Sequence, residues 1–418
     1  MPSARTHEVI ALKINKEYHM DEILLRLGTV SPDSWRNVEE ESGVKDKYLS
    51  HFWDFRIKDK QANDYTEFYL KYYNHLENPF YFGYLLHLIT DQYWKSIIDP
   101  KYFYEENGIP KCRLKNGTTI EDKDWFSYYE TLKIQKRLAK EYHLGLLPTK
   151  KEDIPNFECN IDELNLSGLF GPNGTVNYIN TKLIPTQDDE ESQIYDYNDV
   201  EKHIDETVSF IKQELNRLKL IKEEDEKKVK IAVDIDDTLL CTKELEDYYW
   251  CQFLKDNPDI NPNQEYKWGN PILTKFWSEY REKMAFGKPK KGASNTLNEL
   301  LSKGYRVDLL SARPLEKYAS LKKKLVEYFD SVNIKYNYLN LGFYSKKEFL
   351  KEHHYDILID NDMKYIEEAL SVGVIPILYG NNPNYKGYQT ESWEEDTNNN
   401  TRNNYKKKSK IIKHLLDI

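Results

Sequence analysis

The 418-residue sequence predicts two domains, an all-α domain followed by an α/β domain built on a parallel sheet. A chain of this length exceeds what one hydrophobic core usually serves. Residues 1–222 show mostly helical spacing of apolar side chains, as in YFGYLLHLITDQYWKSII. Residues 228–418 instead alternate short apolar runs with helical stretches, which is the pattern of parallel strands wrapped by helices.

The predicted boundary lies in the charged run KEEDEKK, residues 222–228. The segment before this run predicts a long helix, because its apolar residues recur at helical spacing: Ile204, Val208, Ile211, Leu215 and Leu218. The acidic segment at residues 184–199 is polar and predicts a loop. Towards the other end of the chain, the asparagine-rich residues 396–405 predict a loop before a final short helix.

Five apolar runs predict the strands of the parallel sheet: VKIAVD, YRVDLLS, YNYLNLG, DILID and VIPILY. Four of these runs end in, or soon reach, polar side chains. In chain order they are Asp234 with Asp236, Ser311, the pair Lys346 and Lys347, and Asp360. Because the ligand sites of parallel sheets lie at the carboxyl ends of the strands, we expect these groups to converge on one rim.

The residue types at this rim are suited to phosphoryl transfer. Carboxylates from two strand ends form an oxygen-rich site that suits Mg²⁺. One carboxylate can attack phosphorus to form an aspartyl-phosphate, and an acid two residues later can transfer protons to and from the reacting oxygens. A hydroxyl and an ammonium can bind the phosphoryl oxygens. Taken singly, each residue also fits a turn, an N-cap or a solvated surface.

The run Asp-Ile-Asp-Asp-Thr after a strand, followed in order by a serine, a lysine and an aspartate at strand ends, resembles the four motifs of the haloacid dehalogenase (HAD) superfamily of phosphohydrolases. The resemblance covers about residues 228–418. It implies a Rossmannoid sheet and a Mg²⁺-dependent phosphatase in which Asp234 is the nucleophile and Asp236 is the acid/base. Mg²⁺ would be held by the Asp234 side chain, the Asp236 backbone carbonyl and Asp360.

The resemblance implies that Ser311 and Lys346 bind phosphate. It also implies that Thr238 and Arg313 support the motifs. The lysine is doubled, and the spacing back from Asp356 favours Lys346 while leaving Lys347 as the alternative. In the fourth motif, Asp360 is the first candidate for the metal and Asp362 the second.

About fifty residues between the first and second motifs, approximately 241–290, resemble the cap insertion of this superfamily. They are rich in aromatic residues: Tyr248, Tyr249, Trp250, Phe253, Trp268, Phe276, Trp277 and Tyr280. We expect most of them to form the core of a small helical cap, and one or two could stack on a substrate ring. The half is most similar to the 5′-nucleotidase-like branch, which implies a nucleotide or a similar small phosphomonoester.

The first predicted domain carries an ordered set of candidate metal ligands: His7, Asp33, His51, His87 and Asp91. His87 and Asp91 form an HxxxD pair one helical turn apart, which is a suitable half-site for zinc. Their segment is apolar apart from this pair and Thr90, so burial without a partner would be costly. A hydrogen-bonded His–Asp pair in a core accounts for the HxxxD spacing equally well.

The ordered set resembles the zinc-dependent phospholipase C and single-strand nuclease superfamily, which has an all-helical fold. The resemblance spans about residues 1–222. It implies Zn²⁺ held by the five residues and a domain that cleaves phosphodiesters, and we expect one or two ions.

Composition and residue patterns limit the classes of partner and the location that we expect for this protein. The net charge of −10 disfavours sequence-independent nucleic-acid binding, which depends on phosphate neutralisation. Cys112, Cys159, Cys241 and Cys251 show no CxxC or framework spacing, and the first residues lack the apolar core of a signal peptide. No apolar run approaches the length of a membrane span. We expect a soluble, cytoplasmic protein that acts on a small phosphorylated substrate.

Three hypotheses follow from the sequence. The first is a bifunctional enzyme whose metal domain cleaves a phosphodiester and whose second domain removes the resulting phosphate. The second is a single-activity phosphatase with a helical scaffold or recruiting domain. The third is a non-catalytic sensor of phosphorylated ligands.

Overall fold

The computed structural model describes residues 2–37, 47–54, 56, 63–123, 126–155, 157–181, 191–264, 266, 270–314 and 319–393. The chain divides into two compact units, Met1–Glu223 and Glu224–Ile418. Trp268, the final predicted helix and the asparagine-rich residues 396–405 lie outside the described residues. Among the described residues, no helix combines the length and the apolar character needed to cross a membrane.

The helices that begin in the first unit are α1 (Ala4–Tyr18), α2 (Glu22–Val30), α3 (Lys47–Ser50), α4 (Tyr65–Lys71), α5 (Pro79–Tyr93), α6 (Asp99–Tyr102), α7 (Phe126–Glu141), α8 (Leu166–Phe170), α9 (Thr175–Thr181) and α10 (Tyr197–Asp225). Their starts follow sequence signals. Ser3 caps α1 by accepting from the Thr6 amide, and Asn78 caps α5 directly before Pro79. From Phe80 to Asp91, α5 is buried along its length, so it forms the centre of this unit.

Helices α2 and α5 approach each other closely at two glycines. A Cβ atom at Gly28 would lie 2.1 Å from the Phe80 carbonyl oxygen, and one at Gly83 would lie 2.2 Å from the Leu25 carbonyl oxygen. Only glycine permits backbones to approach this closely. The contact brings the carboxyl end of α2 against the part of α5 that carries His87.

Residues 103–121 depart from the all-α prediction, which is wrong for this segment. They form an antiparallel sheet of β1 (Phe103–Glu106), β2 (Ile109–Arg113) and β3 (Thr119–Glu121). Asn107 and Gly108 join β1 to β2 with φ angles of 54° and 76°. Two left-handed residues in succession are the requirement of a type I′ hairpin turn, which Asn-Gly favours.

The second unit contains the strands β4 (Lys230–Val233), β5 (Arg306–Ser311), β6 (Leu339–Leu341), β7 (Ile357–Asp360), β8 (Ile375–Tyr379) and β9 (Tyr388–Thr390). Its helices are α11 (Lys243–Asp256), α12 (Pro271–Met284), α13 (Ala293–Ser302), α14 (Ala319–Ser331), α15 (Lys347–Glu352) and α16 (Met363–Ser371). The strands pair in the order β6-β5-β4-β7-β8-β9, and every pairing is parallel.

The parallel sheet confirms the five strands predicted from the sequence and adds the short β9 at one edge. Strands β4, β5 and β7 are buried at every residue. Helices cover both faces of such a sheet, which explains why these strands read as nearly continuous apolar runs. The central position of β4 places the residues after it between the ends of β5 and β7.

The insertion predicted at about residues 241–290 contains α11 and α12, which we call the cap helices. Their facing sides form a small core of Phe253, Phe276, Tyr280 and Met284. Tyr249, Trp250 and Trp277 pack against this core, whereas Tyr248 is 57% exposed. Most of the described aromatic residues of the insertion therefore serve packing, as expected.

Candidate active site and metal centre

Three neighbouring strands bring the predicted motif residues to one rim of the parallel sheet. Asp234 directly follows β4, and its amide donates to the Ile359 carbonyl of β7 at 2.9 Å. Ser311 is the last residue of β5, and Asp360 is the last residue of β7. Parallel pairing of β4 with both neighbours aligns these carboxyl ends.

Lys346 joins the two buried carboxylates of this rim. Its Nζ atom lies 2.6 Å from Asp234 Oδ1 and 2.7 Å from Asp360 Oδ2, and its side chain is fully buried. Burial alone would lower the pKa of Lys346, but the two carboxylates raise it, so the ammonium stays charged. Burial raises the pKa of Asp234 to about 8, although Lys346 opposes the rise, and burial also raises the pKa of Asp360.

The charges of this cluster fit a divalent cation. When both acids are ionised, two carboxylates face one ammonium, and the side chains of Asp234 and Asp360 are only 8% and 1% exposed. Uncompensated negative charge is costly to bury, and the raised pKa of each acid reflects that cost. Hard oxygen donors in this setting suit Mg²⁺, with Asp234 and Asp360 as the carboxylates that would hold it.

Asp236 lies at the same rim and is bound by Arg313. The Arg313 Nε and Nη2 atoms donate to Asp236 Oδ2 and Oδ1 at 2.9 and 2.8 Å, and Ser311 Oγ lies 3.5 Å from Oδ2. Partial burial acts to raise the pKa of Asp236, but the guanidinium outweighs it and lowers this pKa below its usual value. The Asp236 side chain is 45% exposed, so it can reach a molecule that arrives from solvent.

Thr238 connects the first motif to the fourth and to a distant segment. Its hydroxyl donates at 3.2 Å to Oδ1 of Asn361, the residue directly after β7. Its carbonyl accepts from Trp393 Nε1 at 2.8 Å, and Trp393 is buried against Tyr379. The loop that carries Asp234 and Asp236 is therefore fixed on two sides.

The structure separates the paired candidates of the sequence. Lys346 Nζ lies in the cluster, whereas Lys347 is the first residue of α15 and its amide donates to Glu368. Asp362 caps α16 by accepting from the Lys364 amide, which accounts for its position without a metal. Geometry thus places Lys346 and Asp360 at the rim and leaves the other two candidates on helix ends.

Two residues near the rim were not predicted from the sequence. Asp237 has a left-handed φ of 55°, and its Oδ1 accepts from the Thr242 and Lys243 amides at the start of α11. The ring of Tyr365 lies 4.4 Å from Lys346 Nζ, in a cation–π contact. Aspartate commonly caps helices, so the sequence could have indicated a structural role for Asp237. A tyrosine within a helix, such as Tyr365, gives no indication of a role at the site.

The first unit brings all five predicted metal ligands into one cluster. His51 Nε2, His87 Nε2 and Asp91 Oδ2 are separated from one another by 3.3, 3.6 and 3.5 Å. Asp33 Oδ1 lies 3.7 Å from His51 Nε2, and His7 Nε2 lies 3.3 Å from Asp91 Oδ1. The rings of His7 and His87 are stacked with centroids 4.0 Å apart.

Backbone carbonyls orient the two central imidazoles. His87 Nδ1 lies 2.7 Å from the Thr29 carbonyl oxygen, and His51 Nδ1 lies 3.0 Å from that of Lys47. Each carbonyl requires a proton on Nδ1, so Nε2 presents a lone pair to the cluster whenever the ring is neutral. Burial acts to lower the pKa of His87, but Asp91 outweighs it and raises this pKa, so His87 offers its lone pair once the second proton has left. Burial and the neighbouring His87 lower the pKa of His51 to about 3, which keeps that ring neutral.

The spacing of this cluster fits a tetrahedral ion. Zinc–nitrogen bonds of about 2.0–2.1 Å place adjacent ligand atoms of a tetrahedron about 3.3 Å apart. The three contacts among His51, His87 and Asp91 are close to that spacing. To hold two ions, the described residues would have to divide into His7 with Asp91 and Asp33 with His51, but each of these pairs also needs His87, which has only Nε2 to offer. The geometry therefore fits one ion better than two.

One buried atom of the cluster lacks a partner among the described residues. His7 Nδ1 makes no hydrogen bond there, although the side chain is 2% exposed. Burial lowers the pKa of His7, so its ring is neutral. His7 faces Asp91 through Nε2, and the two nitrogens of an imidazole point in different directions, so the partner that the buried Nδ1 needs is a group other than the ion of this cluster.

Neither family models nor curated proteins match this sequence. Solved structures that resemble the chain include HAD-superfamily hydrolases. A haloacid dehalogenase-like hydrolase from Streptococcus pneumoniae has 15% identity and a TM-score of 0.28, covering 37% of this chain and 86% of its own. A subfamily IA hydrolase from Geobacter sulfurreducens has 11% identity and a TM-score of 0.31, with coverages of 40% and 95%.

A third structure, CbbY from Rhodobacter sphaeroides in complex with phosphate, has 14% identity and a TM-score of 0.30, with coverages of 40% and 94%. These identities and scores are low. The assignment of an activity to the chain therefore rests on its own side-chain geometry.

Proposed function

We propose that the second unit is a Mg²⁺-dependent phosphomonoester hydrolase. The observation that carries this proposal is the convergence of Asp234, Lys346 and Asp360, from three separate segments, into one buried cluster at the carboxyl rim of the sheet. Asp236 and Ser311 lie at the same rim. A structural ion pair needs one acid for one base, whereas this cluster has a second acid and an exposed third one beside it.

The chemistry follows from the placement of these groups. An Asp234 carboxylate oxygen bonds to phosphorus as the bond to the leaving oxygen breaks, and Asp236 in its protonated form gives that oxygen a proton and becomes a carboxylate. Water then attacks the aspartyl-phosphate, Asp236 takes its proton, and the bond between phosphorus and the Asp234 oxygen breaks. Lys346 and Ser311 bind the phosphoryl oxygens. Bound Mg²⁺ would neutralise charge on the transferring group.

A nucleotide or a similar small phosphomonoester is the substrate class that we propose for this site. The resemblance of the sequence to the 5′-nucleotidase-like branch supports it. Among the described residues of the insertion, Tyr248 is the exposed aromatic residue that could stack on a base, since Phe253 and Phe276 lie in the core of the cap helices.

The direct test is hydrolysis of p-nitrophenyl phosphate with Mg²⁺ by wild type and by Asp234→Asn. We expect the substitution to abolish turnover, because an amide oxygen is a poor nucleophile and a weak metal ligand. Asp330→Asn, at an exposed position of α14, is the matched control and should retain full activity. Unchanged turnover in Asp234→Asn would refute the site. If the substitution abolishes turnover, a panel of phosphorylated metabolites would define the substrate.

We propose a metal centre in the first unit as a second functional site, with phosphodiester cleavage as its activity. The convergence of His7, Asp33, His51, His87 and Asp91 favours it. Cleavage there would yield a phosphomonoester that the second unit could use. If metal binds but bis(p-nitrophenyl) phosphate is not cleaved, the single-activity alternative with a recruiting or scaffold unit is favoured.

A further inference from the structure

Arg313 contacts both the proposed acid/base and the segment through which the chain leaves the cap helices. Two of its nitrogens hold the Asp236 carboxylate at 2.8 and 2.9 Å. The third, Nη1, donates to the Ala285 carbonyl oxygen at 2.9 Å. Ala285 is the residue directly after α12. One guanidinium thus links a side chain beyond β4 to the backbone at the end of the cap.

The difference in burial between Arg313 and Asp236 indicates that the arginine fixes the position of the carboxylate. The Arg313 side chain is 6% exposed, whereas that of Asp236 is 45% exposed. The Arg313 amide donates to Ser311 Oγ at 3.2 Å, so the arginine starts from a fixed strand end. A planar fork that grips both carboxylate oxygens fixes orientation, which a single ammonium cannot do. Asp236 is therefore aimed by a buried group.

The two connections between the sheet and the cap helices are paired with each other. The Cys241 amide donates to the Lys288 carbonyl at 2.8 Å, and the Lys290 amide donates to the Leu239 carbonyl at 2.9 Å. At Gly287 a Cβ atom would lie 2.5 Å from the Cys241 carbonyl oxygen, so the segments are in close contact. They form a two-stranded connector, and the Ala285 carbonyl lies beside it.

We propose that Arg313 is a positioning residue that couples the placement of the cap connector to the orientation of the Asp236 carboxylate. The inference rests on the proposed phosphatase function, because that function gives Asp236 the proton transfer. Displacement of Ala285 either breaks the third hydrogen bond of Arg313 or moves the guanidinium together with the carboxylate. A substrate that seats the cap helices correctly thereby also aims the proton donor at its leaving oxygen.

The kinetic test compares Arg313→Met and Arg313→Lys with wild type on two substrates. The p-nitrophenolate group leaves as a stable anion, whereas the phenol of phenyl phosphate needs a proton. We expect Arg313→Met to lower kcat/KM for phenyl phosphate at least about 10-fold more than for p-nitrophenyl phosphate, since general acids contribute that much or more. Arg313→Lys should give an intermediate loss, because lysine cannot hold both oxygens.

Arg281→Met is the matched control. Arg281 lies on α12 with its guanidinium over the Trp277 ring, and it should show equal, small effects on both substrates. Equal falls on the two substrates in Arg313→Met would overturn the positioning role, since a loss of folded protein lowers both alike.

Hydrogen exchange tests the mechanical link without catalysis. The Cys241 and Lys290 amides of the connector should exchange faster in Arg313→Met and in Asp236→Asn than in wild type or Arg281→Met. Unchanged exchange in both variants would overturn the coupling. If wild type hydrolyses neither substrate, the proposed phosphatase function fails, and the exchange rates still decide whether Arg313 links the connector to Asp236.

Discussion

The Thr29 carbonyl oxygen lies 2.7 Å from His87 Nδ1, across the contact between α2 and α5. This bond fixes which nitrogen of His87 faces the cluster, and it forms only because Gly28 and Gly83 allow the helices to touch. The orientation of a candidate metal ligand thus depends on two residues that carry no side chain. The packing of α2 against α5 and the orientation of His87 therefore depend on the same contact.

We expect Gly83→Ala to destabilise the first unit and to weaken the histidine cluster. Its Cβ would lie 2.2 Å from the Leu25 carbonyl oxygen, so the helices must separate. Overpacking of this kind costs about 1–3 kcal/mol. The free energy of unfolding, measured by denaturant titration, should fall accordingly. Gly145→Ala is the matched control, because nothing lies within 4 Å of its Cβ position, and its stability should not fall.

Metal analysis of purified protein should find about one transition-metal ion for each chain, held by the first unit. The double substitution His51→Ala/His87→Ala should remove it, because these residues supply two vertices of the fitted tetrahedron. His203→Ala is the control, since His203 is also buried but pairs with Glu206 and Tyr102. A wild-type protein free of transition metal after loading with Zn²⁺ would contradict the metal centre.

Lys346→Met and Lys347→Met should differ sharply. Removal of Lys346 leaves two buried carboxylates without their ammonium, and breaking such a pair costs about 3–5 kcal/mol. Phosphatase activity should fall by at least about 100-fold, the usual effect of losing one transition-state donor. Lys347→Met should match wild type in unfolding free energy and turnover. Comparable losses in both variants would show that the doubled lysine is shared.

The stability of the first unit should fall as the pH rises from about 4 to 6, because of Asp64. Burial and the nearby Glu67 raise the pKa of this carboxyl from 3.8 to about 6, although Arg56 opposes the rise. The folded state then binds a proton that the unfolded chain has released, so stability declines through this interval. The change amounts to about 3 kcal/mol, since one pKa unit is worth about 1.4 kcal/mol.

Asp64→Asn should remove this slope and stabilise the unit at pH 7, because asparagine can still accept from the Glu67 amide that Asp64 caps. Unfolding free energies of the two proteins at pH 4 and pH 7 measure the effect. A slope that persists in Asp64→Asn would assign it to other acids.

The parallel sheet was predictable because its strands are buried on both faces and read as apolar runs bounded by polar residues. The rim followed, since parallel strands present their carboxyl ends together. Adjacent candidates were not separable in the sequence. Lys346 and Lys347 have the same chemistry, and only the start of α15 decides which of them lies beside Asp234.

Other features depended on signals that are local or absent. The hairpin of β1 and β2 has its signal in Asn107-Gly108, which the helical pattern on either side obscured. The triple contact of Arg313 has no sequence signal, because Asp236 and Ala285 meet it only through the fold. Carbonyl partners such as that of Thr29 are invisible for the same reason, since every residue has a carbonyl.

Trp393 lies 155 positions after Thr238, yet its indole is the donor to the carbonyl in the turn after Asp234. Proteolytic clipping before Trp393 would leave that buried oxygen unsatisfied, at a cost of about 1–3 kcal/mol. The first part of the protein to be affected would be the loop that carries the nucleophile Asp234. A preparation cleaved before Trp393 could therefore remain folded and lose turnover, so any activity assay requires a chain that is uncleaved at this point.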